Sequence, residues 1–340
     1  MQKILAAMSG GVDSAVCAAL LLEQGYTVGG ATMLLHDGGE VEAESARRTA
    51  QQLGIPFHLF DFRAEFRRLV QEPFMRVYQS GGTPNPCVLC NKTVKFGLFL
   101  DRALELGYDG VATGHYARVM RENGRSVIRT AADTAKDQTY MFCLLSQRQL
   151  SRLMLPMGEL TKAAAREKAA ALGLAAAEKA DSQDICFIPD GDYFRWLTGN
   201  GVTPQPGRFI GPDGEDLGAH RGMEAYTIGQ RRGLDIAYGS RIYVTGKRGA
   251  DVLLGPDAAL YTDRVRVQSV NWLPFETPPQ ELRAQAKLRY TTHTAPCTVI
   301  PGPDGSAELV FDTPQRAATP GQTAVLYDRT LLLGGGIIAE

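Results

Sequence analysis

The sequence predicts an α/β protein with an N-terminal doubly wound parallel sheet, a small loop-rich β-containing domain and a C-terminal β-barrel. Three observations support this fold class. The first half alternates short apolar runs with longer helical patterns, a stretch rich in Gly and Pro follows, and the last part alternates apolar and polar residues. At 340 residues the chain exceeds a typical single core, which also favours several domains.

The first domain is expected to span residues 1–195. Its apolar runs KILAAM, VGGATMLL, FHLFDF and GVATG predict strands. Alternation of strands with helical patterns predicts a parallel sheet that has helices on both faces. The pattern TKAAAREKAAALG predicts one further helix, which stops at Gly173. The earlier helical patterns begin at Ala15, Glu40, Ala64 and Val94.

The second and third domains are expected at residues 196–262 and 263–340. Turn signals dominate the second domain, which predicts short strands between loops. In the third domain, residues 282–290 alternate strictly, and short apolar runs between turns such as PGPDG predict a small barrel. The polar face of that strand carries Arg283, Lys287 and Arg289. We interpret these cations first as a solvated face, with phosphate contact as the alternative.

Composition limits the class of protein. No segment approaches the roughly 20 apolar residues that cross a bilayer, and the N-terminus lacks a signal-peptide pattern, so we expect a cytoplasmic protein without membrane contact. A net charge of -1 predicts no strongly basic surface, so any nucleic-acid site must be a local basic patch. Six cysteines are too few and too scattered to form a stabilising disulfide framework, so we expect some of them to act in catalysis or metal binding. Cys17 and Cys143 lie in apolar runs and are expected to be buried.

A glycine-containing loop follows the first predicted strand. Residues 9–14 read Ser-Gly-Gly-Val-Asp-Ser and lead directly into an apolar helix. Paired glycines let a ligand approach the backbone, and the helix N-terminus favours an anion. The loop lacks the Lys of the Walker pattern and the spacing of GxGxxG. It therefore predicts a different phosphate cradle, for a triphosphate or pyrophosphate.

A second motif holds two thiols close together. Pro84 and Pro86 fix the backbone ahead of Cys87 and Cys90, so we expect both thiols to project from a rigid, exposed turn. Two nearby cations are expected to lower the thiol pKa values. These cations are Lys92 and Lys95. Structural zinc, the usual alternative for this spacing, requires further ligands that the sequence does not provide.

The ordered motifs SGGVDS, TPNPxxxCNxxxKF, ATGHYAR, KDQTYM, DSQDICFI, YTIGQRRGL and TPGQTAVLY resemble the bacterial tRNA-specific 2-thiouridylase family. They span nearly the whole chain. SGGxDS resembles the PP-loop of the ATP pyrophosphatase superfamily, which implies an adenine nucleotide hydrolase-like first domain. The resemblance further implies that ATP adenylates the 2-oxygen of a wobble uridine in the tRNA anticodon region, and that sulfur then displaces AMP to give 2-thiouridine. By the same resemblance, the reaction would release AMP and pyrophosphate.

The resemblance also implies the nucleotide site. Asp13 would help to hold magnesium, and Met33 would line the adenine pocket, although a plain core methionine is an equal interpretation. The implied ATP-binding positions are Ala7, Met8, Ser9, Gly10, Gly11, Val12, Asp13, Ser14, Met33 and Gly114.

In the same way, the resemblance assigns the sulfur step to Cys186, as the persulfide carrier, and to Cys90, which would release the sulfur by forming a disulfide with it. Sulfur would come from a donor protein or from a cysteine desulfurase relay, and we expect a monomer. His115 would lie at the target nucleoside, although a structural histidine is the alternative. The implied tRNA-binding positions are Asn85, Pro86, His115, Lys136, Asp137, Gln138, Arg289, Tyr290 and Gln322.

The chain departs from the family at one position. Cys87 stands where the family pattern has an Asp that is proposed to transfer protons, and a thiol has a pKa of about 8.5 against about 3.9 for Asp. Cys87, Cys90 and Cys186 together also match the three thiolates that hold a [4Fe-4S] cluster with one open iron, so this catalytic metal site stays open beside the disulfide relay. Two other functions remain open: a PP-loop synthetase acting on a small molecule, and a non-catalytic RNA-binding or redox-sensing protein.

Overall fold

The computed structural model describes residues 1–174 and 185–339. In the first domain, the strands β1, β2, β3, β4 and β7 form one sheet in the order β3-β2-β1-β4-β7, and every neighbouring pair is parallel. This confirms the predicted parallel sheet. The strands are β1 (Lys3–Ala7), β2 (Thr27–Leu34), β3 (Phe57–Asp61), β4 (Gly110–Ala112), β5 (Arg118–Glu122), β6 (Arg125–Arg129) and β7 (Leu153–Met154).

Side chains of the central strand point alternately to the two faces of this sheet. Leu5 packs into one apolar cluster, whereas Ile4 and Ala6 pack into a second cluster on the other side. All three are almost completely buried, as expected for a parallel strand covered on both faces. The covering helices are α1 (Val12–Glu23), α2 (Glu40–Gln52), α3 (Arg63–Phe66), α4 (Glu72–Gln79), α5 (Pro86–Cys90), α6 (Phe99–Glu105), α7 (Gln147–Leu150) and α8 (Lys162–Ala171).

Two helical stretches differ from the sequence prediction. The pattern assigned to a helix from Val94 belongs to a continuous helical stretch that begins at Pro86, passes through a π-helical segment, Asn91–Leu98, and continues as α6. A second π-helical segment, Arg67–Gln71, joins α3 to α4. Helix α1 begins three residues before the predicted Ala15, directly after Gly11.

Helix α9 (Tyr193–Gly199) crosses the boundary predicted at residue 195, and its Leu197 packs into an apolar cluster of the first domain. The second domain contains a four-stranded sheet. Its order is β10-β11-β8-β9, in which only β11 and β8 run parallel. Phe209, Tyr226 and Val244 form part of a separate small core. The strands are β8 (Gly207–Ile210), β9 (Asp216–His220), β10 (Tyr243–Arg248) and β11 (Asp251–Gly255).

The third domain is the predicted barrel. Its six strands follow the order β12-β15-β14-β13-β16-β17, and antiparallel pairing of β12 with β17 closes it. The β5–β6 hairpin of the first domain continues this sheet, because β6 pairs antiparallel with β17. The barrel strands are β12 (Tyr261–Trp272), β13 (Leu282–Lys287), β14 (Ala295–Pro301), β15 (Ala307–Arg316), β16 (Thr323–Asp328) and β17 (Leu331–Ile338).

The cationic face predicted for residues 282–290 is not an open stripe. Strand β13 ends at Lys287; Ala284 and Ala286 of its apolar face are buried as expected, whereas Leu282 is half-buried. The Arg283 guanidinium reaches across β14 and pairs with Asp312 of β15 at 2.6 Å. Lys287 lies over the rings of Tyr140 and Tyr290, at 5.9 and 5.3 Å from their centroids. Across residues 1–174 and 185–339, no helix is long and apolar enough to span a bilayer.

Candidate active site

The phosphate loop, residues 9–14, follows the carboxyl end of β1. In the sheet, β2 lies on one side of β1 and β4 on the other, so the chain winds outward from β1 in both directions. Ligands of open α/β sheets bind at this kind of crevice. Gly10 has φ +72°, and a Cβ there would lie 2.8 Å from the Glu42 carbonyl oxygen, so the position requires glycine. The Ser9 amide donates to the Ser14 hydroxyl at 3.1 Å, and that hydroxyl donates to the Gly11 carbonyl at 3.0 Å. The loop is therefore held by its own hydrogen bonds.

Several residues assigned to the ATP site have side chains that face the core, so only their backbone groups would be available to a nucleotide. Met8 and Val12 are buried in the core, and Thr32 donates to the Met8 carbonyl at 2.6 Å. Ala7 lies at the end of β1, and Met33 of β2 packs partly buried against an apolar cluster. The role of Met33 in an adenine pocket stays a prediction.

Asp13, the second residue of α1, has two partners that the sequence did not reveal. The Lys162 ammonium lies 2.9 and 2.8 Å from the two carboxylate oxygens of Asp13. The Tyr116 hydroxyl donates to the same carboxylate at 2.8 Å. Lys162 lies 149 residues along the chain, at the first position of α8, where only the capping Thr161 signals a helix start. Nothing in the local sequence connects that helix with the phosphate loop.

The segment after β4 contacts the phosphate loop and approaches the helical stretch of residues 86–105, which begins with Cys87 and Cys90 and is called the cysteine helix below. A Cβ on Gly114 would lie 2.6 and 2.7 Å from backbone atoms of Asp13 and 2.7 Å from the Ser14 nitrogen, so this glycine allows the segment to reach the start of α1. The neighbouring His115 ring lies 6.2 Å from the Phe96 ring and 5.2 Å from that of Phe142. Phe96 belongs to the π-helical segment that follows the two cysteines. The role of His115 at the target nucleoside stays a prediction.

The chemistry of His115 is that of a neutral imidazole. Its Nδ1 lies 2.8 Å from the Thr113 hydroxyl. Burial, together with the nearby Lys95 ammonium, lowers the pKa of His115 to about 3. His115 can therefore orient a polar group at neutral pH but does not supply a positive charge there.

Pro86 of the cysteine motif starts a helix instead of fixing an exposed turn, and Pro84 lies just ahead of the helix cap. Asn85 is the N-cap of α5, and its side-chain oxygen accepts from the amides of Cys87 at 3.2 Å and Val88 at 3.4 Å. Pro86 occupies the first helical position, which tolerates its missing N–H, and its side chain is buried. Cys90 is only 6% exposed, so the expectation of an exposed thiol is wrong for this residue. Cys87 is intermediate and Cys186 is exposed.

The three thiols of the motifs share the same electrostatic influences. Burial is the main cause that raises their pKa values, Lys95 lowers the pKa values of all three, and Cys186 raises those of Cys87 and Cys90 further. Burial outweighs Lys95 and raises the pKa of Cys90 to about 12. Desolvation also raises the pKa of Cys186, although that residue stays accessible. The predicted net lowering of thiol pKa values is therefore wrong, and Lys92 acts on Cys143 instead.

The arrangement does not form a ready metal site. Within the described ranges 1–174 and 185–339, no three His, Cys, Asp or Glu residues are placed to hold a metal ion. All six cysteines are free thiols, and Cys17 and Cys143 are buried as predicted. The first half of the motif DSQDICFI, residues 181–184, lies outside the described residues.

Two of the three residues 136–138 point into the protein. Asp137 accepts from the Ala131 amide at 2.9 Å and from the Thr139 hydroxyl at 2.5 Å. Gln138 accepts from the Tyr116 amide at 2.9 Å. Only Lys136 of this group is exposed.

The barrel residues assigned to tRNA reach the rim of the same region. Gln322 donates to the carbonyls of Thr83 at 2.8 Å and Pro84 at 3.2 Å, directly ahead of the cysteine helix. Tyr290 is 39% exposed, and its pKa is raised by partial burial, then by Asp137 and Cys87. Arg289 points inward, where its guanidinium donates to the carbonyls of Ile228 and Ala317 and to the Thr319 hydroxyl.

Comparisons with known proteins cover the whole chain. Residues 2–190 match the family model described as tRNA methyl transferase HUP domain, residues 199–251 match its PRC-barrel domain, and residues 262–338 match an aminomethyltransferase beta-barrel domain. A protein of Syntrophotalea carbinolica named tRNA-specific 2-thiouridylase MnmA is 46% identical, over 99% of this chain and 98% of its own length. A protein of the same name from Chloroflexus aggregans is 45% identical, over 100% and 99%.

Proposed function

We propose, from the premise that this chain belongs to the MnmA family of tRNA-specific 2-thiouridylases, that it is an ATP-dependent tRNA-uridine 2-sulfurtransferase. One observation carries the proposal. The segment from Thr113 to Tyr116 contacts the phosphate loop through Gly114 and approaches the cysteine helix through His115. A nucleotide activated on the loop would thus lie beside thiols that can deliver sulfur.

In the first step, the 2-oxygen of the uridine attacks the α-phosphorus of ATP. The bond to the bridging oxygen breaks, pyrophosphate leaves with the electron pair, and the N3 proton passes to solvent. Backbone amides of residues 9–14 and the start of α1 would hold the phosphates. Asp13 fits magnesium, because its carboxylate is partly exposed at the phosphate loop. A bound magnesium ion would screen phosphate charge there.

In the second step, Cys186 carries a persulfide whose terminal sulfur attacks C2 of the uridine, and AMP leaves with the electron pair of the broken C–O bond. Cys90 then attacks the Cys186 sulfur. The S–S bond breaks, 2-thiouridine is released, and the two thiols are oxidised to a disulfide that an external thiol must reduce. Among the described residues, Cys87, Cys90 and Cys186 do not form a three-residue metal group, so their placement does not fit a [4Fe-4S] cluster.

The target base would leave its stack and enter between the phosphate loop and the cysteine helix. Asn85, Cys87 and His115 would line its position, and Lys136, Tyr290 and Gln322 would contact the surrounding RNA. Pro86, Asp137 and Arg289 would act indirectly, by shaping the surfaces that touch RNA, because they are buried or bonded inward. We further propose a cytoplasmic monomer that receives sulfur from a donor protein, with domains at residues 1–195, 196–262 and 263–340.

The test is mass spectrometry of tRNA nucleosides after anaerobic incubation with ATP, magnesium and a cysteine desulfurase with cysteine. Wild-type protein should form 2-thiouridine without added iron. Asp13→Asn should abolish the product, because it removes the carboxylate charge, and Cys186→Ser should abolish persulfide-dependent product. Cys297→Ser is the matched control, since that thiol is buried in the core of the barrel. A product that requires iron would support the cluster instead.

The matching family models name methyl transfer as a second candidate, and the measurement separates the two. A methylated nucleoside carries an added carbon, whereas thiolation exchanges oxygen for sulfur. The accessible thiol of Cys186 beside Cys90 favours sulfur transfer. If no tRNA product of either mass forms, but AMP and pyrophosphate appear with a small acceptor, the chain is a synthetase of another kind.

A further inference from the structure

The proposed sulfur step uses two of the three thiols of the motifs and gives Cys87 no part in it. Cys87 and Cys90 lie three positions apart at the start of the cysteine helix, where the family pattern has Asp at the first position. We propose that Cys87 is a second resolving thiol, which attacks Cys90 in the Cys90–Cys186 disulfide, forms a Cys87–Cys90 disulfide and frees Cys186. This inference rests on the proposed function.

The spacing of Cys87 and Cys90 suits a disulfide that forms and breaks. Residues three apart on a helix have Cβ atoms about 5–6 Å apart, whereas a disulfide needs about 3.5–4.5 Å. The first turn therefore has to shift by about 1–2 Å. It can do so because the Cys87 amide lies too early in the helix to have an intrahelical acceptor and is held by the Asn85 side chain, at 3.2 Å. The same Cys-x-x-Cys spacing carries the reversible disulfide of thioredoxin.

Cys90 is the fixed end of this pair. Its side chain is 6% exposed and packs in an apolar cluster together with Val88 and Val94. The next residue, Asn91, is also buried and donates to the Met141 carbonyl at 3.2 Å. Cys87 is only partly buried, so it is the thiol that moves.

Exposure explains why the exchange would serve the reaction. Cys186 is the exposed thiol that receives sulfur, and it cannot accept the next persulfide while it is joined to Cys90. Attack by Cys87 is intramolecular, so its effective concentration is far above that of a dissolved thiol. The Lys95 ammonium lowers the pKa of Cys87 against the larger effect of burial, and this increases the fraction of thiolate that can attack.

The exchange balances without an added oxidant. The Cys87 thiolate forms a bond to the Cys90 sulfur, the S–S bond between Cys90 and Cys186 breaks, and Cys186 leaves with the electron pair and takes up the proton that Cys87 lost. The number of disulfides stays the same. An external dithiol then reduces the Cys87–Cys90 disulfide, whose Cys87 sulfur is the more accessible of the two, and is itself oxidised to a disulfide.

The test maps the disulfide that remains after one turnover without reductant. Wild-type protein that carries a Cys186 persulfide is mixed with tRNA, ATP and magnesium, free thiols are blocked with iodoacetamide, and the tryptic digest is analysed unreduced. Cys87 and Cys90 lie on one tryptic peptide, residues 77–92, so their disulfide removes two hydrogen atoms from that peptide and leaves Cys186 alkylated. We expect this result for wild type. Cys87→Ser should lose it and contain two peptides joined through Cys90 and Cys186.

A second experiment needs no tRNA. Diamide, a thiol oxidant, should form the Cys87–Cys90 pair in wild type and also in Cys186→Ser, because Cys186 is not part of that pair. Cys297→Ser is the matched control and should show the wild-type pattern, since its thiol lies in the barrel core. The inference is overturned if Cys186 of wild type stays joined to Cys90 in either experiment, or if diamide joins no pair. The amount of 2-thiouridine in the first experiment tests the proposed function separately.

Discussion

Cys186 and Cys90, the two thiols assigned to the sulfur step, differ in their exposure to solvent. Cys186 is exposed, whereas Cys90 is buried and its pKa is raised to about 12. A thiol that receives sulfur from another protein must be accessible, while a thiol that attacks later benefits from being shielded until then. The difference in burial therefore supports the order of roles proposed for Cys186 and Cys90.

We expect alkylation by iodoacetamide to follow this difference at neutral pH. Cys186 should react first, Cys87 more slowly, and Cys90 slowest of the three, because burial keeps Cys90 protonated and shielded. Mass spectrometry of the digested protein gives the rate for each cysteine. The rates should rise with pH, since the thiolate is the nucleophile. Equal rates at Cys90 and Cys186 would contradict the structure.

Three further cysteines provide the internal control for that experiment. Cys17, Cys143 and Cys297 are all completely buried, and burial raises the pKa of each. They should remain unmodified in the folded protein and react only after denaturation.

At the scale of elements, the sequence predicted the sheet and the phosphate loop well because their signals are local. Buried runs such as KILAAM and the glycine pair of the loop each lie within a few residues. The helix at Pro86 was missed because two prolines also suit a turn, and only the cap by Asn85 decides between the two structures. Lys162 was missed because its partner Asp13 lies on another element.

The cap of α5 gives a test at this scale. Asn85→Ala should cost about 1 kcal/mol of unfolding free energy, the usual loss for a missing cap, whereas Asn85→Asp keeps the accepting oxygen and should be close to wild type. Thermal or denaturant unfolding measures both variants.

Activity then separates the cap from recognition of the base. If the Asn85 amide group also contacts the uridine, the Asp variant will be stable but will thiolate tRNA more slowly. Full activity in the Asp variant would restrict Asn85 to its capping role.

At the scale of the whole molecule, all three domains meet at the loop that precedes the cysteine helix. The Thr83 hydroxyl lies 3.3 Å from that of Thr227 in the second domain, and the Thr83 carbonyl accepts from Gln322 in the barrel. Arg289 of the barrel in turn bonds the Ile228 carbonyl. The sequence could not reveal this junction, because its hydrogen bonds join residues more than 60 positions apart.

Arg289→Ala should destabilise the protein by about 2–4 kcal/mol, because it leaves the buried acceptors at Ala317 and Thr319 without their charged donor. It should leave the salt dependence of tRNA binding unchanged, since an inward guanidinium neutralises no phosphate. Denaturant unfolding and binding at several salt concentrations measure the two effects.

Arg283→Ala is the control, since Arg283 lies on β13, just ahead of Arg289 in the chain, but forms an exposed pair with Asp312. Its removal should leave stability essentially unchanged. A fall of about one in the slope of log K against log salt for Arg289→Ala would instead assign that residue to a phosphate contact.

The pairing of β6 with β17 has a consequence for the order of synthesis. Strand β6 is made early, but its partner is the last strand of the barrel, and β17 must also be present before β12 can close that barrel. Domains generally fold in the order in which the ribosome releases them. The β5–β6 hairpin of the first domain therefore keeps an unpaired edge until β17 has been synthesised. A chain that stops before Leu331 would have both an open barrel and an unpaired hairpin, which cellular proteases can recognise.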